Sequence, residues 1–300
     1  MSNKKVLFIV GPTAVGKSNL AINIALKVNG EIVNADSRLV YKNMDIGTSK
    51  PTPKQLSQIP HHLIDIKSPT EQYNLSEYLS AANKTISDIL KKDKVPIIVG
   101  GTGQYIWALY EGWELDDTAP DYNLRKSLSK LTLDDLCKQL EHFDPNSIFP
   151  VDRKNKRRII RAIEKAKHGS IGDKKSLPTW EALIIGLHIE RQTLHKRIAN
   201  RTEQMMKIGF LDEVKTLLNL DLPPTAPVFT CIGYKELIAF INEEYDLNEA
   251  IKRTTISTNR LVRHQNNWFK QEDERIVWFN YSNNSIETQK RVMNKVWSFL

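Results

Sequence analysis

A doubly wound parallel α/β sheet with a helical insertion is the fold class this sequence predicts, and three observations predict it. A glycine-bounded loop, Gly11-Pro12-Thr13-Ala14-Val15-Gly16-Lys17-Ser18, joins an apolar run over residues 6–10 to a helix-like segment. Strand-like and helix-like stretches then alternate as far as Thr102, the rhythm that builds parallel sheets. From residue 121 to 167 only helical periodicity remains, and a strand-like run returns at Leu183.

The elements follow in order. Residues 6–10 are continuously apolar, as a buried parallel strand should be. Leu20, Ala21, Ile24, Ala25 and Val28 recur at helical spacing, and Gly30 is placed to end that helix. Residues 32–36 read as a second strand and 63–66 as a third, separated by a Gly-, Thr- and Pro-rich loop over 41–53. Asn74 with Glu77 makes a helix N-cap and its third-position acid, opening a helix to about residue 92. Residues 95–99 form a fourth strand that ends in Gly100-Gly101-Thr102-Gly103.

Leu124, Leu128 and Leu131, then Leu133, Leu136, Cys137 and Leu140, then Ile159, Ile160 and Ile163, give the insertion its helices. The polar stretch 169–178 is expected to be mobile. A fifth strand over 183–189 leads to a helix bearing Leu194, Ile198 and Met205, with Arg197 and Arg201 four apart on another face. Pro223, Pro224 and Pro227 mark a linker, followed by a short helix at 237–241, a long one at 246–270, a last strand at 276–279 and a terminal helix. The expected domains are a core of residues 1–120 and 179–300 and an insertion of residues 121–178.

Three hundred residues at 40% hydrophobic suffice for a large core plus a smaller lobe. The two cysteines, Cys137 and Cys231, form neither a metal-ligand spacing nor a disulfide framework. Five apolar residues near the N-terminus are too few for a signal peptide or membrane span, so a cytoplasmic protein without a membrane partner is expected. No protein partner is indicated. The net charge of +8 is concentrated: residues 151–170 carry +6 and residues 251–270 carry +5, leaving the remainder acidic. Two basic patches on such a body point to a polyanion larger than a mononucleotide.

The loop over residues 11–18 fits G-x-x-x-x-G-K-[ST], in which glycines let the backbone turn so that successive N–H groups face one anion. Lys17 adds charge, Ser18 can hold Mg²⁺, and the helix start adds its partial positive charge. In a parallel sheet the ends of the first, second and fourth strands converge, bringing Asp36 and Thr102 to this cradle. Asp36 can there touch Mg²⁺ or act as a base toward a bound acceptor.

These blocks, with Asp36-Ser37-Arg38-Leu39-Val40-Tyr41, residues 44–51 and 60–65, and Val99-Gly100-Gly101-Thr102-Gly103-Gln104-Tyr105, resemble the tRNA dimethylallyltransferases in the same order. Arg158, Arg161 and Glu164, residues 197–214, Ile232-Gly233-Tyr234, and Gln265 with Trp268 continue the likeness over nearly the whole chain. The resemblance implies transfer of a dimethylallyl group from dimethylallyl diphosphate to N6 of the adenosine 3′ of the anticodon, with no phosphoryl transfer. It implies that the cradle, Lys17 and Arg201 hold the diphosphate, with Ser18 on Mg²⁺. Asp36 would take the N6 proton and Thr102 would hold Asp36 or the acceptor in line. Asp36, Ser37, Arg38, Leu39, Thr102, Arg125, Arg157, Arg158 and Arg161 would contact the tRNA anticodon arm. Leu39 stands where Gln is common, Gln104 where Leu is common and His264 where Arg is common. With two cysteines, the bacterial type without a zinc-finger extension is the better match.

Other classes share the cradle. An adenylate prenyltransferase would alkylate free nucleotide, and a small-molecule kinase would use Arg197 and Arg201 on a transferring phosphate. A noncatalytic RNA-binding switch would have no use for Asp36 and Thr102 at converging strand ends.

Overall fold

The computed structural model describes residues 4–115, 121–143, 153–167, 174–282 and 286–300. Along them run β1 (Lys5–Val10), α1 (Lys17–Val28), β2 (Gly30–Asn34), α2 (Pro53–Gln58), β3 (His61–His62), α3 (Leu75–Leu90), β4 (Val95–Val99), α4 (Gly103–Tyr110), β5 (Trp113–Glu114), α5 (Tyr122–Leu128), α6 (Leu133–Phe143) and α7 (Lys156–Lys167). There follow β6 (Lys174–Lys175), β7 (Glu181–His188), α8 (Arg191–Lys207), α9 (Phe210–Leu218), α10 (Tyr234–Ile241), α11 (Leu247–Trp268), β8 (Ile276–Asn280) and α12 (Ile286–Phe299). Among the described residues no helix is long and apolar enough to cross a membrane.

Contacts divide the chain into residues 1–112 with 177–300, and residues 113–176. The first unit is a P-loop α/β fold whose six strands lie in the order β3-β2-β4-β1-β7-β8, every neighbouring pair parallel. After β1 the chain builds one half of the sheet, and with β7 and β8 it builds the other. The C-terminal end of β1 is therefore the switch point at which open α/β sheets bind ligands. Val6, Leu7, Phe8, Ile9 and Val10 are all fully buried, which explains why an uninterrupted apolar run takes the central position. Leu20, Ile24 and Val28 of α1 and Val292 and Val296 of α12 join one cluster with Leu7, Ile9 and Ile185 of the sheet.

Several local expectations change. Gly30 opens β2 instead of ending α1, and Asn29 makes the left-handed turn at φ 52°. A Cβ at Gly30 would stand 2.9 Å from the Val95 carbonyl oxygen, so the glycine serves close strand approach. The expected third strand at 63–66 does not form, because Leu63 (φ 62°) and Asp65 (φ 56°) are left-handed; β3 pairs upstream, at His61–His62. Helices α2, α4 and α9 form in addition to those that the sequence pattern predicts. The Asn74–Glu77 capping box opens α3 as expected.

The second unit begins at Trp113 instead of 121, since β5 pairs antiparallel with β6 and closes the base of the insertion. The stretch expected to be mobile, 169–178, falls outside the described residues over 169–173. Leu128, Leu136, Leu140, Ile159, Ile160 and Ile163 make its core. Against that core lies a fully buried acid, Glu164. Its carboxylate accepts from Arg125 Nε (3.0 Å) and Nη2 (2.7 Å), from the Asp121 N–H (2.6 Å) and from Arg161. Burial pushes its pKa up, but these donors outweigh burial and hold it at about 2, from an ordinary 4.5.

A carboxylate depressed on folding lends stability above its unfolded pKa and loses it as the pH falls toward the folded value. The insertion should therefore loosen between about pH 4.5 and 2, read as earlier amide exchange in α7 than in the sheet. Glu164→Gln, which removes the carboxylate charge that Arg125 and Arg161 share, should cost about 1–3 kcal/mol at neutral pH by denaturant titration.

Candidate functional site

The loop between β1 and α1 turns through three left-handed residues, Gly11 (φ 136°), Ala14 (φ 63°) and Gly16 (φ 112°). A Cβ at Gly11 would lie 2.4 Å from the Leu187 carbonyl oxygen, and one at Gly16 would meet the Tyr281 ring at 3.0 Å. Val15, fully buried, pins the middle of the loop. Pro12 has no N–H, and the Thr13 N–H donates to Gln265 Oε1 at 2.8 Å, leaving the amides of residues 14–18 for an anion. Thr13 itself still lines the cavity of the cradle, with its N–H held by Gln265. Arg197 braces the loop from α8, donating to the Val15 carbonyl (3.2 Å) and to the Ser282 carbonyl (2.6 Å).

Lys17 folds back onto the loop, its Nζ donating to the carbonyls of Gly11 (2.9 Å) and Pro12 (2.8 Å). Burial lowers its pKa to about 8, with Asp36 opposing and the Arg201 charge assisting.

Asp36 lies two residues past the end of β2, where Asn34 shapes the turn. The Asn34 amide donates to the carbonyls of Asp36 (2.9 Å) and Leu63 (3.0 Å), and its oxygen accepts from the Asp36 N–H (2.8 Å). Asp36 Oδ1 accepts from the Arg38 N–H at 2.9 Å; Oδ2 has no protein hydrogen bond among the described residues. Thr102 sits at the N-cap of α4 yet does not cap it. Its hydroxyl oxygen accepts instead from the Ser37 N–H at 3.1 Å, tying the ends of β4 and β2 together beside Asp36. A Cβ at Gly100 would lie 2.1 Å from the Ala35 carbonyl oxygen, so the two strand ends approach as closely as a glycine permits.

Lys17, Ser18, Asp36, Leu39 and Arg201 line one cavity of about 240 Å³, with Thr13, Ala14 and Gly16 of the cradle and Thr48, Ser49, Pro51 and Ile64 among its other walls. Of the expected diphosphate, base and metal residues, Thr13, Ala14, Gly16, Lys17, Ser18, Asp36 and Arg201 line it; Gly11, Pro12 and Val15 do not, and Pro12 lines a second cavity. Ser37 and Thr102 stand at its edge, joined to each other and next in the chain to Asp36 and Gly101. Arg38 donates its N–H to Asp36. A larger cavity, about 560 Å³, lies along Pro12, His188, Arg191 and Arg263, and contains neither Lys17 nor Asp36. Among the described residues no three of His, Cys, Asp and Glu form a metal cage. Ser18 and Asp36 do offer a hydroxyl and a carboxylate on one wall, the hard oxygen donors that suit Mg²⁺ shared with substrate phosphates.

Arg125, Arg157, Arg158 and Arg161 belong to the second unit. Arg125 and Arg161 are committed to Glu164, whereas Arg157 is exposed on α7.

Sequence reasoning gave no role to Gln265. It is 5% exposed, and besides taking the Thr13 N–H it donates from Nε2 to the Gly101 carbonyl at 3.1 Å. Thr254, Thr258 and Val262 precede it as buried residues at helical spacing, so a glutamine continuing an otherwise core-facing seam was the available signal.

Residues 39–272 match the family model described as IPP transferase. The tRNA dimethylallyltransferase of Thermomicrobium roseum is 37% identical over 92% of this chain and 86% of its own. Among solved structures, the full-length tRNA isopentenylpyrophosphate transferase of Bacillus halodurans superposes with a TM-score of 0.76 at 32% identity, covering 98% of this chain and 96% of that one. A eukaryotic dimethylallyltransferase acting on tRNA gives a TM-score of 0.84 at 26% identity, over 98% of this chain and 78% of that one. With the family model spanning most of the chain and relatives this similar nearly end to end, the chain belongs to the IPP transferase family.

Proposed function

We propose that this chain transfers the dimethylallyl group of dimethylallyl diphosphate to N6 of the adenosine 3′ of the anticodon in tRNA and releases diphosphate. The observation that carries the reading is the single cavity that joins an anion cradle, two partly buried cations and one carboxylate with an unused oxygen. An allylic C–O bond breaks as the C–N bond forms; the bonding pair leaves with the diphosphate, and the N6 proton goes to a base. Lys17, Arg201 and the amides of residues 14–18 stabilise charge growing on the leaving group. Asp36 takes the proton, held in place by Asn34 and by the Ser37–Thr102 hydrogen bond. Ser18 would hold Mg²⁺, which when bound neutralises part of the diphosphate charge. The relatives named for the same activity support this reading.

A small-molecule kinase is less well supported, because Arg197, which it needs on the transferring phosphate, is spent on two backbone carbonyls. For the acceptor, Leu39 lines the cavity, Ser37 and Thr102 are hydrogen-bonded to each other beside Asp36, Arg38 donates its N–H to Asp36, and the exposed Arg157 offers charge to RNA phosphates. A cytoplasmic location follows from the substrate.

Incubation with labelled dimethylallyl diphosphate, Mg²⁺ and either tRNA or AMP tests the reading: label should enter tRNA, and label in AMP alone would sink it. Asp36→Asn should lower turnover by roughly 10²- to 10⁴-fold with little change in diphosphate binding, measured in single-turnover and calorimetric assays.

Because Lys17 loses its charge near pH 8, affinity for diphosphate should fall as the pH rises through about 8. Lys17→Ala should be weaker throughout and should lack that limb.

Arg157→Ala should flatten the log–log salt dependence of tRNA binding by about 0.7 to 0.9 without moving Tm. Arg161→Ala should lower Tm, since it strips a partner from Glu164. An unchanged slope for Arg157→Ala would remove that residue from the RNA interface.

A further inference from the structure

Three stretches of the motif blocks remain without a task in this reaction: residues 44–51, the last six residues of the block 197–214, and residues 232–234. They converge on one carboxylate. Glu213, in the first turns of α9, accepts through Oε2 from the N–H groups of Asp45 (2.9 Å) and Ile46 (2.7 Å). Through Oε1 it accepts from the Gly47 N–H (3.1 Å) and the Tyr234 hydroxyl (2.6 Å). Three successive backbone donors and a phenol on one carboxylate form a charge-assisted lock.

Ring packing completes it. Phe210 and Tyr234 meet edge to face, centroids 5.0 Å apart, and Gly47 lies against both. A Cβ at Gly47 would stand 2.2 Å from Phe210 and 2.4 Å from Tyr234, so only glycine lets the loop reach this depth. At the other end of the loop Lys50, its side chain 5% exposed, donates to the Tyr41 carbonyl at 2.9 Å and pairs with Asp45 and Asp65. Between these two anchors lie Thr48 and Ser49, followed by Pro51, and all three face the cavity that holds Lys17, Asp36 and Arg201.

We propose that Glu213, seconded by Tyr234, is a positioning residue that fixes the Thr48–Pro51 wall against the allylic chain of the donor. The inference rests on the donor assigned above. The anion half of the donor is met by residues 14–18, Lys17 and Arg201, which the lock does not touch. The hydrocarbon half needs apolar enclosure: Leu39 and Ile64 supply part of it, and Pro51 adds its share only while the loop is held. Releasing the loop should therefore cost affinity for the prenyl group and spare affinity for diphosphate, a split that a generally loosened fold would not produce.

The test compares dimethylallyl diphosphate with inorganic diphosphate, by calorimetry on the full chain. Glu213→Gln presents an amide to backbone donors and loses the charge. It should raise Kd for dimethylallyl diphosphate by about 10- to 100-fold while Kd for inorganic diphosphate and KM for tRNA stay within twofold. Tyr234→Phe removes one donor of four and should raise the first constant by about 3- to 10-fold. If Glu213→Gln melts below the assay temperature, Tyr234→Phe alone decides. Equal weakening of both ligands, or of neither, overturns the proposal. An unaltered protein that binds inorganic diphosphate but neither binds dimethylallyl diphosphate nor labels tRNA would overturn the donor assignment itself, and this inference with it.

Discussion

One buried amide holds the two halves of the site in register. Gln265 takes the Thr13 N–H of the cradle with its oxygen and gives its Nε2 hydrogen to the Gly101 carbonyl at the end of β4. Left unpaired at that depth, either backbone group would carry a desolvation cost of about 1–3 kcal/mol. The bridge is feasible only because Gly101 has no side chain: a Cβ there would fall 2.2 Å from Nε2. Gly103 makes the same concession to Trp268, whose backbone carbonyl accepts from the Trp107 indole at 2.9 Å. The position of Thr102 relative to Lys17 is thus set by α11, a helix that contributes neither residue.

What was legible in the sequence was what is local. The glycine spacing of the cradle, the Asn74 cap and the apolar run of β4 are each written within a few residues, so spacing alone reveals them. Asp36 and Thr102 come together because parallel topology forces strand ends together. Gln265, Arg197 and Glu213 were opaque for the opposite reason. Their partners lie 252, 182 and 166 to 168 positions away; helical spacing marks Gln265 as core-facing but announces none of these partners, which arrive from other elements. The false third strand failed through backbone conformation: 63–66 has the composition of a strand, but two left-handed residues turn it aside.

The basic insertion shows a related limit. Counting charges over 151–170 gives a strongly positive segment, yet its one acid within α7 is the most buried side chain of the group, and two arginines are folded around it. Charge that organises a small core and charge offered to solvent look alike in a sequence. On α7 they separate by helical face, with Glu164 turned inward beside Ile160 and Ile163, and Arg157 outward.

The back-folded Lys17 has a bearing on the end of the catalytic cycle. Carbonyl oxygens of Gly11 and Pro12 already stand at ammonium distance, so a departing anion leaves behind a cation with neutral oxygens waiting to receive it. Binding is then an exchange of ligands about one nitrogen instead of the capture of a bare charge. In the function proposed above, that internal competitor would blunt the attraction between Lys17 and diphosphate and so favour escape of the product.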